Sequence, residues 1–155
     1  MNDEKLRHLI DAYADTILRL SFSYLKNLQD AEDVCQTVFI KMYNSSKEFN
    51  DNAHEKAYIL HITTNVCKDI LKSSWKKRNV DFESIGDIQA PNTEENDVLN
   101  QVNKLDEKYR TVIYLHYYEG YKVAEIAEIL KISVANVKIR LSRGKGKLKD
   151  ILEEN

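Results

Sequence analysis

The sequence predicts an all-α protein of two small helical domains joined by an acidic linker, the second of them a helix-turn-helix domain. Three observations carry this. The 155 residues include one Pro and four Gly, too few for the many tight turns of an all-β chain. Apolar residues recur at three-and-four spacing through most of the chain, the period of an amphipathic helix. That periodicity stops over residues 79–97, which hold the single Pro, a Gly and six acids with no base. The break separates a domain at 1–78 from one at 98–155, with 79–97 as a flexible linker.

The first domain reads as three helices. Leu6, Leu9, Ile10, Tyr13, Ile17, Leu20, Tyr24 and Leu28 make one apolar stripe. A second helix opens at Asp30, whose carboxylate can cap free amides, and buries Val34, Cys35, Val38, Phe39 and Met42. A polar loop, Asn44 to Asn52, leads to a third helix from about Ala53 to Trp75, with Ile59, Ile62, Val66, Ile70 and Leu71 inside. The second domain reads as four helices. Val98, Leu99, Val102 and Leu105 mark a short one. Asp106 caps the next, with Tyr109, Val112, Ile113 and His116 or Tyr117 on its buried face. Gly120 ends it, where a left-handed residue suits a helix stop. The third covers Val123 to Leu130, and Ser133 caps a fourth striped by Val134, Val137, Leu141, Leu148 and Leu152.

Composition excludes several classes. Charged residues at 31% and apolar residues at 43% suit a soluble folded chain. No apolar run approaches the roughly 20 residues of a spanning helix, and Met1 to Lys5 is no signal peptide. The expected location is cytoplasmic, with no membrane insertion. Two Cys, 32 positions apart, form neither a disulfide scaffold nor a zinc site. The four His lack ligand spacing, no glycine loop cradles phosphate, and no nucleophile–base pair suggests itself. No catalytic role, metal or cofactor is expected.

Charge is segregated. Residues 1–78 carry 12 Lys/Arg against 11 Asp/Glu, and residues 98–155 carry 11 against eight. Between Lys131 and Lys149 there are seven bases and no acid. That run overlaps the sharpest motif, Val123 to Leu141. Ala127 is small where two helices must cross closely, Ile126 and Leu130 face inward, Ile132 plugs the turn and Val137 anchors the second helix. The other face of that second helix suits a major groove. Asn136, Ile139, Ser142 and Arg143 lie on the side facing the groove, Lys138 and Arg140 flank it where phosphates lie, and Ser133 at the helix start belongs to the same DNA site. An ordinary helix pair shares the apolar spacing but not the run of bases. Lys131 stands where Gly usually allows a left-handed backbone, at about 1–2 kcal/mol. Gly144 and Gly146 weaken the last helix by up to about 1 kcal/mol each, so its tail is expected to fray off DNA.

The end of the third helix, with Lys68, Lys72, Trp75 and Lys76, could stack on and track an unpaired strand, or simply be a solvated terminus whose cations meet the helix dipole. Asp30, Glu32 and Asp33 are capping acids or, with Gln36 and Phe39, a docking surface. A dimeric helix-turn-helix repressor and a nucleic-acid enzyme remain rival classes. The first lacks a sensor or dimerisation pattern, and the second lacks a metal-binding acid cluster.

The segments together resemble one family, the small two-domain bacterial sigma factors of the extracytoplasmic-function (ECF) type. Asp30-Ala31-Glu32-Asp33-Val34-Cys35-Gln36-Thr37-Val38-Phe39 looks like the family's clamp-binding segment. Tyr58-Ile59-Leu60-His61-Ile62-Thr63-Thr64-Asn65 with Asp69 looks like its promoter-melting helix. Leu105 to Gly120 and the helix-turn-helix look like its −35-binding domain. Tyr58 stands where Trp is usual, Asp106 where Pro is common, and Thr37 where an acid is frequent. The resemblance implies a chain that carries RNA polymerase core, through its clamp and flap regions, to promoter DNA and opens it. It places Asp30, Glu32, Asp33, Gln36 and Phe39 on polymerase, and Tyr58, Asn65, Lys68, Lys72, Trp75 and Lys76 at the −10 element. It also implies a cognate anti-sigma factor. The acidic linker, tethered beside a basic domain, is expected to bias that domain against DNA until polymerase takes the linker away.

Overall fold

The computed structural model describes residues 2–45, 47–78, 101, 102 and 104–153, with side chains except at 74–78. The linker at 79–97, and residues 98–100 and 103 of the short helix expected around Val98 to Leu105, lie outside these residues. Every regular element among those described is helical.

Helix α1 (Asp3–Leu25) starts where Asn2 Oδ1 accepts the Lys5 amide at 2.8 Å, and Asp3 and Glu4 suit its positive end. It buries Leu9, Tyr13, Ile17, Leu20 and Tyr24 of the expected stripe, while Leu6 is half-buried and Ile10 is exposed. It ends one turn earlier than that stripe suggests. Lys26 turns left-handed at φ 57° and its amide bonds back to the Phe22 carbonyl. Helix α2 (Leu28–Asn44) then begins with Asn27, whose Oδ1 accepts the Asp30 amide at 3.0 Å. Asn27 is therefore the cap, Asp30 lies in the first turn, and Leu28 opens α2 as an exposed residue. Helix α3 (Asn52–Arg78) packs against both α1 and α2. Ile59, Leu60, Thr63, Val66 and Cys67 are all buried along one face, whereas Ile62, Ile70 and Leu71, expected inside, are half-buried. Burial pushes the Cys67 thiol up to about 12 and also raises Cys35, so neither is a thiolate at neutral pH.

In the second domain α4 (Glu107–Ile113) follows Asp106, which occupies the cap position without a side-chain bond to the helix. The chain then widens into a π-helical turn, Tyr114–Tyr118, in which the Glu119 amide reaches the Tyr114 carbonyl at 3.1 Å. The extra residue shifts the phase. Tyr114 and Leu115 are buried while Tyr117 is 50% exposed, so the expected inward face at 116 or 117 is displaced. Gly120 makes the stop at φ 75°. Helix α5 (Val123–Leu130) ends at Lys131, left-handed at φ 57°, and Ser133 Oγ caps α6 (Val134–Glu153) by accepting the Asn136 amide at 3.0 Å. Gly144 does not loosen α6. It is buried where α6 crosses α4, and a Cβ there would lie 2.7 Å from Ile113 Cδ1.

The two domains dock. Helix α1 meets α4 and the π-turn, and α3 meets α5, so one apolar cluster runs through both. Arg110 of α4, 5% exposed, donates from Nε to the Ser23 carbonyl, from Nη2 to the Tyr24 carbonyl at 3.0 Å and from Nη1 to the Leu105 carbonyl at 2.9 Å. Its cation lies against the carbonyl end of α1, where positive charge is favoured. Arg19 Nε donates to Glu119 Oε1 at 2.7 Å, and the Tyr114 hydroxyl donates to the same oxygen at 2.5 Å. Burial alone would raise the Glu119 pKa. The hydrogen bonds from Arg19 and Tyr114 and the charges of Arg19 and Lys56 outweigh it and hold the carboxyl below its ordinary value. His61 Nδ1 of α3 bonds the Ile129 carbonyl of α5 at 2.9 Å, and Lys56 Nζ lies 4.5 Å from the Tyr121 ring centre.

Candidate nucleic-acid and polymerase interfaces

Helices α5 and α6 form the helix-turn-helix. Ile126, Ala127, Leu130 and Val137 are buried at the crossing and Ile132 is half-buried in the turn, as the spacing requires. The left-handed Lys131 lets the Ile132 amide return to the Ala127 carbonyl at 3.1 Å, which satisfies the end of α5. With its inner face fixed by Val137 and Leu141, α6 turns Ser133, Lys138, Ile139, Ser142 and Arg143 outward, while Asn136 and Arg140 are half-buried. Ile139 is 48% exposed, an apolar side chain held in water beside cations, suited to a thymine methyl. Tyr117, offered by the sequence for the buried face, instead stands beside this one: Lys145 Nζ lies 5.1 Å from its ring centre and His116 packs edge-on at 4.8 Å.

On α3, Asn65 and Lys72 are exposed and Lys68 is half-buried. Asn65 Nδ2 lies 3.2 Å from His61 Nε2. The side chains of Trp75 and Lys76 lie outside the described residues. Tyr58, at the other end of the row, packs against Phe49 at 5.0 Å between ring centres, and Lys47 Nζ lies 4.5 Å from the Tyr58 ring centre. Two aromatic rings and a cation thus converge where the loop after α2 meets α3, an arrangement able to stack a base and hold its phosphate. Neither Lys47 nor Phe49 is singled out by the sequence pattern.

On α2, Glu32, Asp33 and Gln36 are exposed and Asp30 is half-buried. Phe39 is only 9% exposed. It belongs to the core and positions the helix without offering a surface. Ile40 at 61% and Tyr43 at 42% exposure extend the outward row of Asp33 and Gln36. Their signal was an apolar residue out of phase with the buried stripe.

The two halves match two family models in this order, Sigma-70 region 2 over residues 9–77 and Sigma-70 region 4 over residues 95–148. The ECF sigma factor SigW of Bacillus subtilis is 30% identical across 94% of this chain and 88% of its own length. This chain belongs to the ECF sigma factors. A further relative, SigV of Bacillus subtilis, is 31% identical across 81% of this chain and 77% of its own. Among solved structures, the sigma factor RpoE of Bartonella quintana, in complex with the anti-sigma factor NepR, superposes with a TM-score of 0.78 at 20% identity, covering 97% of this chain and 98% of that one. CnrH, in complex with the cytosolic domain of CnrY, superposes at 0.74 and 21% identity, covering 99% and 91%. As an ECF sigma factor the chain directs RNA polymerase to promoters and takes part in initiating transcription. The apolar stripes and basic faces described above are thus those of a DNA-binding initiation factor.

Proposed function

We propose that the two domains divide promoter recognition between them. In this reading α6 enters the major groove of the −35 element, with Arg143 and Asn136 reading bases, Ile139 making an apolar contact, and Ser133, Lys138, Arg140 and Ser142 holding phosphates. Helix α3 meets the −10 element through Asn65, Lys68, Lys72, Trp75 and Lys76, with Tyr58, Phe49 and Lys47 receiving an unstacked base. The outward row of α2, Asp33, Gln36, Ile40 and Tyr43 with Asp30 and Glu32 beside it, docks on the polymerase clamp, and the second domain meets the flap. The chain catalyses nothing itself. It acts in the cytoplasm and is held in check by an anti-sigma factor, as RpoE is bound by NepR.

The observation that carries this is the α6 face, where an exposed arginine, lysine and isoleucine lie on a helix packed as the second of a helix-turn-helix. The test is promoter-directed transcription by purified core polymerase with and without the chain. Arg143→Ala should cost about 1–3 kcal/mol and relax preference at one base pair, whereas Lys138→Ala should weaken all sequences alike. Transcription without the chain equal to that with it, or an unchanged base preference in Arg143→Ala, would overturn the assignment.

A further inference from the structure

Helix α6 is longer than the groove it would read. Its 20 residues, Val134–Glu153, span about 30 Å at about 1.5 Å per residue, whereas a major groove is about 12 Å wide. The stretch from Ser133 to Arg143 already covers about 15 Å. The turn after it therefore passes over the sugar–phosphate strand at the edge of the groove. The helix does not break before that turn, because Gly144 is buried against Ile113 and Tyr109 of α4. Residues 145–147 stay in line with the reading face, and all three are exposed.

Lys145 occupies that edge. It follows Lys138 by seven residues, about two helical turns, and so lies on the same flank of α6. It has no carboxylate partner among the described residues. Its Nζ lies instead 5.1 Å from the ring centre of Tyr117. Tyr117 is 50% exposed, yet its ring is braced. His116 packs edge-on against it at 4.8 Å between ring centres, and His116 Nδ1 bonds the Tyr121 carbonyl at 2.9 Å. The brace belongs to the π-turn, where both residues sit. A lysine is a point charge on a flexible stem, and an aromatic face beside the ammonium restrains it without neutralising it. Next to it, Gly146 has open space where a side chain would stand, so a strand can pass close to the helix.

We propose that Lys145 and Tyr117 form a site for the DNA phosphodiester backbone at the edge of the −35 element. Lys145 takes one phosphate, and Tyr117 is the positioning residue that holds the ammonium over the strand. This rests on the −35 reading above. The site adds affinity without reading a base, because a phosphate is the same at every step. It extends the footprint of α6 by one turn beyond Arg143, along the tail that glycine propensity alone would have freed from DNA.

The test uses the full chain assembled with core polymerase and a promoter fragment. One phosphate contact changes the slope of log affinity against log salt by about 0.9. Lys145→Gln should therefore flatten that slope by about 0.9, so that its deficit against wild type shrinks about 3-fold between about 50 and 200 mM salt. Base preference at the −35 element should stay as in wild type. Ethylation of the phosphate just outside that element should weaken the wild-type complex and have no further effect on Lys145→Gln. Tyr117→Leu should lose part of the affinity and Tyr117→Phe should restore it, since the ring and not the hydroxyl holds the lysine. Lys108→Gln, a loss of equal charge on α4, should leave both slope and ethylation pattern unchanged. An unchanged slope in Lys145→Gln, an equal flattening in Lys108→Gln, or a Tyr117→Phe chain as weak as Tyr117→Leu each overturns the site. So does a Tyr117→Leu chain that loses transcription with promoter affinity intact, which would make the tyrosine a polymerase contact. Arg143→Ala reads the −35 assignment separately: altered base preference there with an unchanged slope in Lys145→Gln removes this site and leaves that assignment standing.

Discussion

Gly144 and Gly146 are two positions apart on one helix and do opposite things. Gly146 has nothing within 4 Å of a built Cβ, whereas one at Gly144 would meet Ile113 Cδ1 at 2.7 Å and Tyr109 Cβ at 3.3 Å. Gly146→Ala should therefore stabilise the helix by up to about 1 kcal/mol through propensity alone. Gly144→Ala should cost about 1–3 kcal/mol, because the close crossing of α6 over α4 leaves no room for a methyl group. Thermal unfolding followed by circular dichroism separates them, and equal shifts of the same sign would refute the close-packing account. Sequence alone offered both as helix-weakening residues. Propensity is local and legible, while the partner of Gly144 lies some thirty residues away. Lys131 is the converse. Its left-handed backbone was legible because the apolar spacing on both sides fixed where the turn had to fall, and the lysine adopts φ 57° there at about 1–2 kcal/mol.

At the scale of elements, the helix-turn-helix was readable almost residue by residue because its two helices pack on each other across a short turn. The junction of α1 and α2 was less so. No Gly or Pro marks it, Lys26 takes the left-handed position, and Leu28 continues the apolar spacing of α1 although it opens α2. The cap identifies the true boundary. Asn27→Ala should destabilise the chain by about 1 kcal/mol, since the Asp30 amide loses its acceptor. Asp30→Ala should cost less than Asn27→Ala, since Asp30 makes no capping bond and its loss removes only a first-turn charge. Equal losses in urea unfolding would return the cap to Asp30. The π-turn at Tyr114–Tyr118 left no such trace, and an inserted residue shifted every later side chain of that helix. Such insertions gather at functional sites, and this one brings Tyr117 beside Lys145 at the edge of the proposed DNA-reading face.

The whole molecule is where the sequence was least informative, because docking joins residues far apart in the chain. His61, Arg110 and Ile129 stood outside the expected contacts of their own helices, and each meets the neighbouring domain. Most candidate DNA and polymerase residues could be named because they are the polar and basic remainder of amphipathic helices, whereas Phe39, chosen with them, belongs to the core. What joins the helices was not, because a contact such as Arg110 to Tyr24 has no local pattern. This docking has a pH signature. Glu119 faces Arg19 from α1, Tyr114 from the π-turn and Lys56 from α3, and its pKa is held below the ordinary carboxylate value when docked. A carboxyl depressed in the docked state favours docking while it is ionised. That contribution is fully present above the ordinary value near 4.5 and is lost as pH falls through the lower docked value. The Tyr114 hydroxyl, raised by burial and then by its bond to Glu119, stays protonated throughout and continues to donate. Docking should thus be flat from pH 7 down to the ordinary carboxylate range and weaken only below it, with domain separation preceding the loss of helix. Glu119→Gln should be less compact at pH 7 and should lose the part of the acid response that belongs to this carboxyl. Scattering and circular dichroism recorded together down the pH series provide the measurement. If Glu119→Gln expands at the same pH and by the same amount as the wild-type chain, acid opening arises from other carboxylates and Glu119 does not govern the docking.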